Sequence, residues 1–486
     1  MIMKNTDKTK TRNFRTMVWV ISVFILVLTQ TLAGNDKPNI LFIFADDHSS
    51  DSVACLGNTE IETPNLDRLA ASGTTFSRAY NMGSWSGAVC VASRTMLNTG
   101  RFLWKAHQVY QTTEEERQAG RLWSEYLKGA GYRTYMTGKW HVKADAKKAF
   151  DVTGHVRGGM PNQTKEGYDR PHEGVPDPWS PTDPMFGGFW KGGTHWSEVV
   201  GDDAVGFLQQ ADGEEDPFFM YLAFNAPHDP RQAPQKYVDK YPAEKIRIPK
   251  NFLPEYPYKD AIGCSAKLRD EKLAPFPRTH YAIQIHRQEY YAIITHMDAQ
   301  IGRILDALKR SGKAENTYVF FTADHGLAVG HHGLVGKQNL YEHSVKVPFM
   351  VAGPGIAKGR TLSAPIYLQD IMPTTLELAG VVRPDFVQFS SLIPLLRGEA
   401  NRSYDAVYGA YLQKQRSVIF GDYKLLLYPE AAKVRLYHLT EDPEEINDIA
   451  DQPASQVTIN RLDDRLLELQ QETGDELDLH KFFPTL

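Results

Sequence analysis

The chain has 486 residues, of which 42% are hydrophobic and 23% are charged. This is the composition of a globular protein, and it excludes a disordered, collagenous or coiled-coil chain. The length is enough for one large domain or two unequal ones with a sizeable core. The formal net charge is −5, and because residues 1–33 carry +4, the rest of the chain carries about −9. We therefore expect no nucleic-acid partner, and an anionic substrate requires a local basic pocket.

Residues 1–33 have the features of an export signal. A basic stretch precedes the uncharged apolar run Met17–Leu28, and Thr31-Leu32-Ala33 offers small residues at a cleavage position. We expect cleavage after Ala33 and export to the periplasm or the medium, with no stable membrane insertion afterwards. The alternative is an uncleaved anchor, for which the apolar run is somewhat short.

The next segment of the chain, from Pro38 to about residue 400, alternates apolar runs with helical patterns. Strands are predicted at 39–45, 133–136, 218–224, 318–321 and 348–351. Helices are predicted at 65–71, 124–129, 202–210, 290–310 and 370–378. This alternation predicts an α/β fold in which helices sandwich a large, mostly parallel sheet. Stretches rich in Gly and Pro at 154–193 and 242–278 are predicted as long loops that shape a substrate site.

After residue 400 the pattern changes to short strands with a final helix. Strands are predicted at 406–411, 417–420, 423–428 and 435–438, and the helix at 460–472. We therefore predict a main domain over 34–400 and a C-terminal α+β subdomain over 401–486, formed by a small antiparallel sheet and one helix.

Polar residues follow four of the predicted strands at their carboxyl ends, where α/β proteins bind ligands. They are Asp46, Asp47, Lys139, His141, His228, Asp324 and His325. Three carboxylates and an imidazole among them predict a site for a hard divalent cation such as Ca²⁺ or Mg²⁺. For Asp46-Asp47 alone, a helix cap or a strand-end turn is the simpler interpretation; the pairing with Asp324-His325 favours the metal.

Cys90 is one of three cysteines, with Cys55 and Cys264, and the odd count leaves at least one thiol unpaired in an oxidising compartment. A helix opening near Ser93–Leu97 places Cys90 close to its positive end, which lowers a thiol pKa and activates a nucleophile. The alternative is a buried structural cysteine. Whether Cys55 and Cys264 pair stays open.

The segment Cys90-Val-Ala-Ser-Arg94, followed by Thr99-Gly100-Arg101, resembles the signature of type I, formylglycine-dependent sulfatases, Cys-x-Pro/Ala-Ser-Arg and then Thr-Gly-Arg. Further motifs match in the family's order, at Gly138–His141, Ala226–His228, Thr322–Gly326, Gly336-Lys337 and the closing hairpin at Leu436–Glu444. The chain thus resembles members of the alkaline-phosphatase-like superfamily, including exported bacterial polysaccharide sulfatases and iduronate-2-sulfatase-like proteins. Residues 34–400 would then be the sulfatase catalytic domain.

The resemblance implies a modified nucleophile and a metal. A maturation enzyme would oxidise Cys90 to formylglycine (3-oxoalanine), whose hydrated form attacks the ester sulfur. The implied cation is Ca²⁺, with Mg²⁺ as an alternative, and its implied ligands are Asp46, Asp47, Cys90, Asp324 and His325. The chain has Ala92 where many members have Pro, which leaves the maturation enzyme open. It has His325 where Asn is common, which adds pH sensitivity.

The remaining motif positions receive catalytic roles by the same resemblance. Arg94 and Lys139 would steady the formylglycine diol, and His141 would be the base that releases sulfate. His228 and Lys337 would face the sulfate and protonate the departing oxygen.

The implied reaction is hydrolysis of sulfate esters of carbohydrate, with a sulfated algal poly- or oligosaccharide such as ulvan as the expected substrate by analogy with exported sulfatases. Three alternatives stay open. They are a phosphoester or phosphonate ester hydrolase of the same superfamily, a choline or aryl sulfatase, and a sugar-binding protein with a vestigial site.

Overall fold

The structure is a computed structural model that describes residues 1–2, 37–160, 163–190, 193–484 and 486. Apart from Met1 and Ile2, the predicted export signal lies outside the described residues. Within those ranges, no helix has both the length and the apolar character needed to cross a membrane.

The strands and helices are numbered here in chain order. The strands are β1 (Asn39–Asp46), β2 (Thr74–Phe76), β3 (Ala79–Tyr80), β4 (Gly83–Ser84), β5 (Arg133–Lys139), β6 (Val152–Arg157), β7 (Phe218–Pro227), β8 (Thr317–Ala323), β9 (Lys346–Val347), β10 (Phe349–Ala352), β11 (Arg360–Leu362), β12 (Ile366–Tyr367), β13 (Ala406–Tyr411), β14 (Gln415–Phe420), β15 (Tyr423–Tyr428) and β16 (Lys433–His438). The helices are α1 (Pro64–Ser72), α2 (Val89–Thr99), α3 (Leu103–Val109), α4 (Thr113–Gln118), α5 (Trp123–Gly129), α6 (Ala146–Ala149), α7 (Trp196–Asp212), α8 (Gln235–Val238), α9 (His280–Arg310), α10 (Glu342–Val345), α11 (Ile371–Leu378), α12 (Ile393–Arg397) and α13 (Gln456–Thr473).

The main sheet has eight strands in the order β11-β2-β10-β8-β1-β7-β5-β6. Neighbours are parallel except around β10, which runs antiparallel to both β2 and β8. β1 and β7 are buried along their whole length, so both require the continuous apolar runs seen in the sequence. The predicted large, mostly parallel sheet is confirmed.

Helices cover both faces of this sheet. α1, α7 and α9 pack on one face, and α2, α5 and α11 pack on the other. Trp123 of α5 shows how tightly the second layer sits, because its indole contacts the rings of Phe42 and Phe219 on the sheet. The buried aromatic and aliphatic side chains between these layers form the main core of the protein.

The C-terminal sheet has the order β16-β15-β14-β13-β4, and α13 packs against it. β13 to β16 form the antiparallel meander predicted from the sequence. β4 comes from the N-terminal part of the chain and pairs in parallel with β13. The small sheet therefore shares a strand with the main domain, and the domain limit at residue 400 stays a prediction.

One predicted loop is partly wrong. Residues 154–157 belong to β6, which pairs in parallel with β5 at the edge of the main sheet. β6 escaped prediction because an edge strand needs no continuous apolar run, and Val-Thr-Gly-His-Val-Arg is only half-buried. The other predicted loop, 242–278, is confirmed; it contains two short 3₁₀ turns and an isolated β-bridge between Phe252 and His331.

Lys424 of β15 joins the C-terminal sheet to the main domain through a buried ion cluster. Its Nζ lies 2.9 Å from Glu445 Oε1 and 3.1 Å from Glu342 Oε1. Lys424→Met leaves the buried Glu445 without this cation and Glu342 with Lys346 alone, so we expect the free energy of unfolding in urea to fall by about 3–5 kcal/mol. Lys433→Met on the neighbouring strand removes only an exposed ion pair with Asp451, so it should change the free energy of unfolding by less than ~0.5 kcal/mol. Equal urea midpoints for the two variants would contradict this role.

Candidate functional site

The predicted site residues converge at the carboxyl ends of four adjacent strands, β8, β1, β7 and β5. Asp46 ends β1, Lys139 ends β5, Asp324 follows β8 and His228 follows β7. Because these strands are parallel neighbours, residues that are far apart in sequence meet at one edge of the sheet.

Two backbone features turn side chains into this site. Asp47 adopts a left-handed conformation, with φ of 67°, immediately after β1, and non-glycine residues in this region often mark functional sites. Gly138 in β5 has φ of 92°, and a β-carbon there would collide with the carbonyl oxygen of Ala223 on β7. Only glycine fits this position, and the register of β5 against β6 is irregular there, just before Lys139.

Five buried side chains form a candidate metal centre. Their ligand atoms all lie within 4.8 Å of one another, and the residues are Asp46, Asp47, Cys90, Asp324 and His325. This is the predicted ligand set. Three carboxylates suit a hard divalent cation, and the imidazole is a neutral ligand that such a site tolerates. The donor set therefore fits the cation.

Each carboxylate of this centre pairs with a lysine or arginine side chain. Arg94 Nε donates to Asp324 Oδ2 at 3.0 Å, Lys139 pairs with Asp46, and Lys337 Nζ lies 2.7 Å from Asp47 Oδ2. Three positive charges thus balance three negative ones. A divalent cation held there in addition would leave a net positive charge, which would attract an anionic group despite the acidity of the whole chain.

Asp47 has the most cationic neighbours. His325 Nε2 lies 3.0 Å from its Oδ1, and His228 Nε2 lies 3.7 Å from its Oδ2. Burial alone would raise the pKa of Asp47, but the charges of Lys337, His228 and His325 hold this pKa well below its ordinary value. Burial lowers the pKa of His325, but Asp47 and Asp324 raise it well above the usual range. A bound cation opposes this protonation, since it repels the imidazolium charge.

Cys90 lies at the second position of α2, and every residue of this helix is buried. Its Sγ is 3.3 Å from both Asp46 Oδ1 and His325 Nε2, and 3.6 Å from Lys337 Nζ. Burial raises the pKa of the Cys90 thiol, and the charges of Asp324 and Asp46 raise it further. The lowering expected from the helix terminus alone is therefore wrong, and an unmodified thiolate is a poor candidate for the nucleophile.

Two histidines lie beside this centre in states suited to proton transfer. Burial, with the charges of Lys139 and Arg94, lowers the pKa of His141 to about 3, so the ring is neutral. Its Nδ1 has no hydrogen-bond partner among the described residues. His228 Nδ1 lies 2.7 Å from the carbonyl oxygen of Asp229, which favours the tautomer that leaves Nε2 free.

A cavity of about 530 Å³ opens above the centre, within the range of ligand-binding pockets. It is lined by Cys90, Lys139, His141, His228 and Lys337, together with residues that the motifs did not indicate, among them Gln163, Tyr168, Arg269, Asp270 and Gln338. Four of the predicted site residues, together with Cys90, thus face one space. Gln163, Tyr168, Arg269 and Asp270 belong to the long loops predicted to shape the site, but nothing in the sequence singles them out individually.

Glu271 shows how a loop residue positions Lys337. Its carboxylate accepts hydrogen bonds from the backbone N–H groups of Val335 and Gly336, and it pairs with the buried Arg278. The backbone that carries Lys337 is thereby fixed.

Other polar and aromatic residues near the motifs lie outside the cavity. His48 is buried against Phe321, and His331 pairs with Asp51. His332 stacks on Tyr341, which belongs to a second cluster of buried side chains that includes residues of the C-terminal sheet. Cys55 and Cys264 are both free, so they do not form a disulfide.

Comparison with known proteins identifies the family. The Sulfatase family matches residues 38–381, which is more than half of the chain. The chain belongs to the sulfatase family. The sulfatase also matches the family described as N-sulphoglucosamine sulphohydrolase, C-terminal, over residues 330–472. It is therefore a hydrolase of sulfuric esters with an alkaline-phosphatase-like fold.

Among curated proteins, a sulfatase of Formosa agariphila is 29% identical over 438 residues, covering 84% of this chain and 82% of its own length. An ulvan-active sulfatase of the same organism is 27% identical over 478 residues, covering 92% of this chain and 84% of its own.

Two solved structures share the fold. A protein in complex with its substrate D-glucosamine-2-N,6-O-disulfate has a TM-score of 0.70 at 23% identity, covering 90% of this chain and 99% of that chain. The phosphonate monoester hydrolase of Agrobacterium radiobacter has a TM-score of 0.70 at 20% identity, covering 90% and 96%. The fold therefore does not by itself separate sulfate esters from phosphonate esters.

Proposed function

We propose that this sulfatase hydrolyses sulfate esters of carbohydrate, using residue 90 as formylglycine and a divalent cation, Ca²⁺ in the first instance. One observation carries the proposal. Cys90 belongs to the candidate metal centre and also lines the open cavity, and its Sγ contacts the carboxylate of Asp46 and the ammonium group of Lys337. The hydrate of formylglycine supplies an oxygen nucleophile, whereas a buried thiol with a raised pKa is rarely ionised and is a weak nucleophile. The cation neutralises charge on sulfate oxygens.

The residues around Cys90 then bind and orient the sulfate group. Lys139 and Lys337 line the cavity and bring positive charge to its floor. Arg94 has a different role, because it is fully buried and its guanidinium donates to Asp324 and to the carbonyl oxygen of Lys139. It orients a metal ligand and the backbone of Lys139.

Proton transfer is assigned to the two cavity histidines. We assign His228 to protonate the departing sugar oxygen from Nε2, which requires the doubly protonated ring. Burial lowers the pKa of His228, whereas the charges of Asp47 and Asp229, whose Oδ1 lies 3.2 Å from Nδ1, favour that protonated ring. We assign His141, which is neutral and lines the cavity, to accept the proton in the second half of the reaction; the lowered pKa of His141 makes it a weak base in the free enzyme.

The timing of maturation follows from burial. Cys90 is 1% exposed and α2 is buried throughout, so the enzyme that oxidises it must act before the chain folds. We therefore propose a formylglycine-generating enzyme as a transient partner of the unfolded chain. Export to the periplasm or the medium, after removal of residues 1–33, is part of the same proposal.

The substrate is tested by measuring sulfate release with ion chromatography. The enzyme, co-expressed with a maturation enzyme and supplied with Ca²⁺, is offered ulvan oligosaccharides, other sulfated glycans, choline sulfate and an aryl sulfate. We expect release from a glycan, and ulvan is the first probe because an ulvan-active relative is similar along most of the chain. Release only from the small esters overturns the carbohydrate assignment. Faster hydrolysis of matched phosphate or phosphonate esters, measured as release of the alcohol, overturns sulfate as the preferred substrate.

His228→Gln is expected to lower kcat for a sugar sulfate by roughly 10²–10⁴-fold, because the leaving alkoxide then lacks a proton donor. A nitrophenyl sulfate needs little protonation of its leaving group, so its kcat should fall much less. His331→Gln, a loop histidine outside the cavity, is the control and should change neither rate by more than about twofold. An equal loss on both esters would assign His228 to binding instead.

A further inference from the structure

A second, smaller cavity adjoins the catalytic one. The two share Met160 and His228 as lining residues. The smaller cavity has a volume of about 20 Å³, enough for one water-sized group, which means one oxygen of a carboxylate or sulfate while the rest of that group stays in the large cavity. A substituent of a sugar held in the large cavity can therefore reach into it beside His228.

The residues that line this cavity include three with a buried polar atom that lacks a hydrogen-bond partner among the described residues. These atoms are Trp196 Nε1, Ser197 Oγ and Asn225 Oδ1. Their residues are 4%, 1% and 6% exposed. A buried polar atom without a partner is costly, so three around one cavity indicate that a ligand supplies the missing bonds.

Arg157, at the end of β6, adds a positive charge to the same wall. Its side chain makes no hydrogen bond or ion pair with any part of the chain that the structure describes. Its guanidinium carbon lies 4.6 Å from the ring centre of Trp196, which holds it in place. Asp203, on the neighbouring α7, bonds instead to His155 and Thr137. Burial lowers the pKa of Arg157, as expected for a cation without a carboxylate.

The donors of this wall suit an oxyanion. The guanidinium of Arg157, the indole N–H of Trp196 and the hydroxyl of Ser197 can all donate hydrogen bonds. The amide Nδ2 of Asn225 lies 2.9 Å from the sulfur of Met160, and rotating this amide by 180° would add a further N–H donor. Among the residues that the structure describes, no carboxylate lines the cavity. A neutral hydroxyl would leave the charge of Arg157 uncompensated.

We propose that Arg157, Trp196, Ser197 and Asn225 form a subsite for a second anionic group on the substrate, next to the ester that is cleaved. The group is a carboxylate or a second sulfate, which share the oxyanion chemistry. The proposal rests on the proposed function, since it names the class of carbohydrate: sugars that carry a further negative charge within reach of the ester. Arg157 is the specificity-determining residue.

Paired substrates test the subsite and separate the two anions. One pair is a sulfated disaccharide containing glucuronate and its carboxyl-reduced counterpart; the other is D-glucosamine-2-N,6-O-disulfate and D-glucosamine-6-O-sulfate. We expect kcat/KM, mainly through KM, to favour the doubly charged member of at least one pair by roughly 10- to 100-fold. Arg157→Gln should bring that ratio close to one. Arg310→Gln removes the same charge from an exposed site and should preserve the ratio.

Binding to the Cys90→Ala protein, measured by calorimetry with the same pairs, requires no turnover. Tighter binding of the doubly charged member of a pair, if it depends on Arg157, supports the subsite. It does so even if the enzyme releases no sulfate, because the absence of sulfate release would overturn only the proposed function. Equal affinity within both pairs, or a preference that survives Arg157→Gln, overturns the subsite. Arg157→Lys separates charge from geometry: the subsite predicts that it restores only part of the preference, because lysine lacks the planar fork of donors.

Discussion

Cys90→Ala is expected to abolish sulfate release, with a loss of more than about 10⁴-fold, comparable to losses on removing nucleophiles in other enzymes. The structure gives the physical reason. Residue 90 lines the cavity and also belongs to the candidate metal centre, since its Sγ contacts Asp46, His325 and Lys337. Alanine can neither be oxidised to an aldehyde nor attack the ester.

The control for this variant is Cys55→Ala, which removes an exposed thiol outside the cavity. We expect its sulfate release to match that of the unaltered enzyme within about twofold. Both proteins should show the same thermal unfolding midpoint as the parent to within a few degrees. A Cys90→Ala enzyme that keeps a tenth of the parent rate would exclude residue 90 as the nucleophile.

Asp47→Asn is the second variant with a very large expected effect. The substitution preserves shape but removes the negative charge that faces His325, Lys337 and the cation. We expect kcat to fall by on the order of 10³-fold, because metal stabilisation of charge is worth several kcal/mol. Affinity for Ca²⁺, measured by titrating the chelated enzyme, should fall in parallel.

Asp51→Asn is the matched control, four residues along the chain. Asp51 is exposed and pairs with His331 rather than with the metal centre. We expect Ca²⁺ affinity and kcat to stay within about twofold of the parent values. If chelation leaves the parent enzyme fully active, or if Asp47→Asn binds Ca²⁺ like the parent, these five residues are not the metal centre.

The centre of the fold could be predicted because burial leaves a strong trace in the sequence. β1 and β7 are buried on both faces, so their apolar runs are continuous, and the charged residues that follow them mark the strand ends. Asp46 and Asp47 lie at the end of β1, and His228 directly follows β7. The edge strand β6 and the two-residue strand β4 leave no comparable pattern, since neither needs a continuous apolar face.

The electrostatics of the site could not be predicted from local sequence. Position at the start of α2 suggests a lowered pKa for Cys90, but burial, together with the carboxylates of Asp324 and Asp46, raises it instead. Arg157 was missed for a similar reason. Its significance depends on the absence of a carboxylate partner and on contact with Trp196, both of which are set by tertiary packing.

The most direct measurement of the central claim compares, in one set of preparations, sulfate release with the fraction of chains that carry formylglycine at position 90. That fraction is read from the mass of the peptide spanning residue 90, and it is varied by the amount of co-expressed maturation enzyme. We predict a rate proportional to the formylglycine fraction, with no release when the fraction is zero. Full release from chains with an unmodified Cys90 would contradict the account.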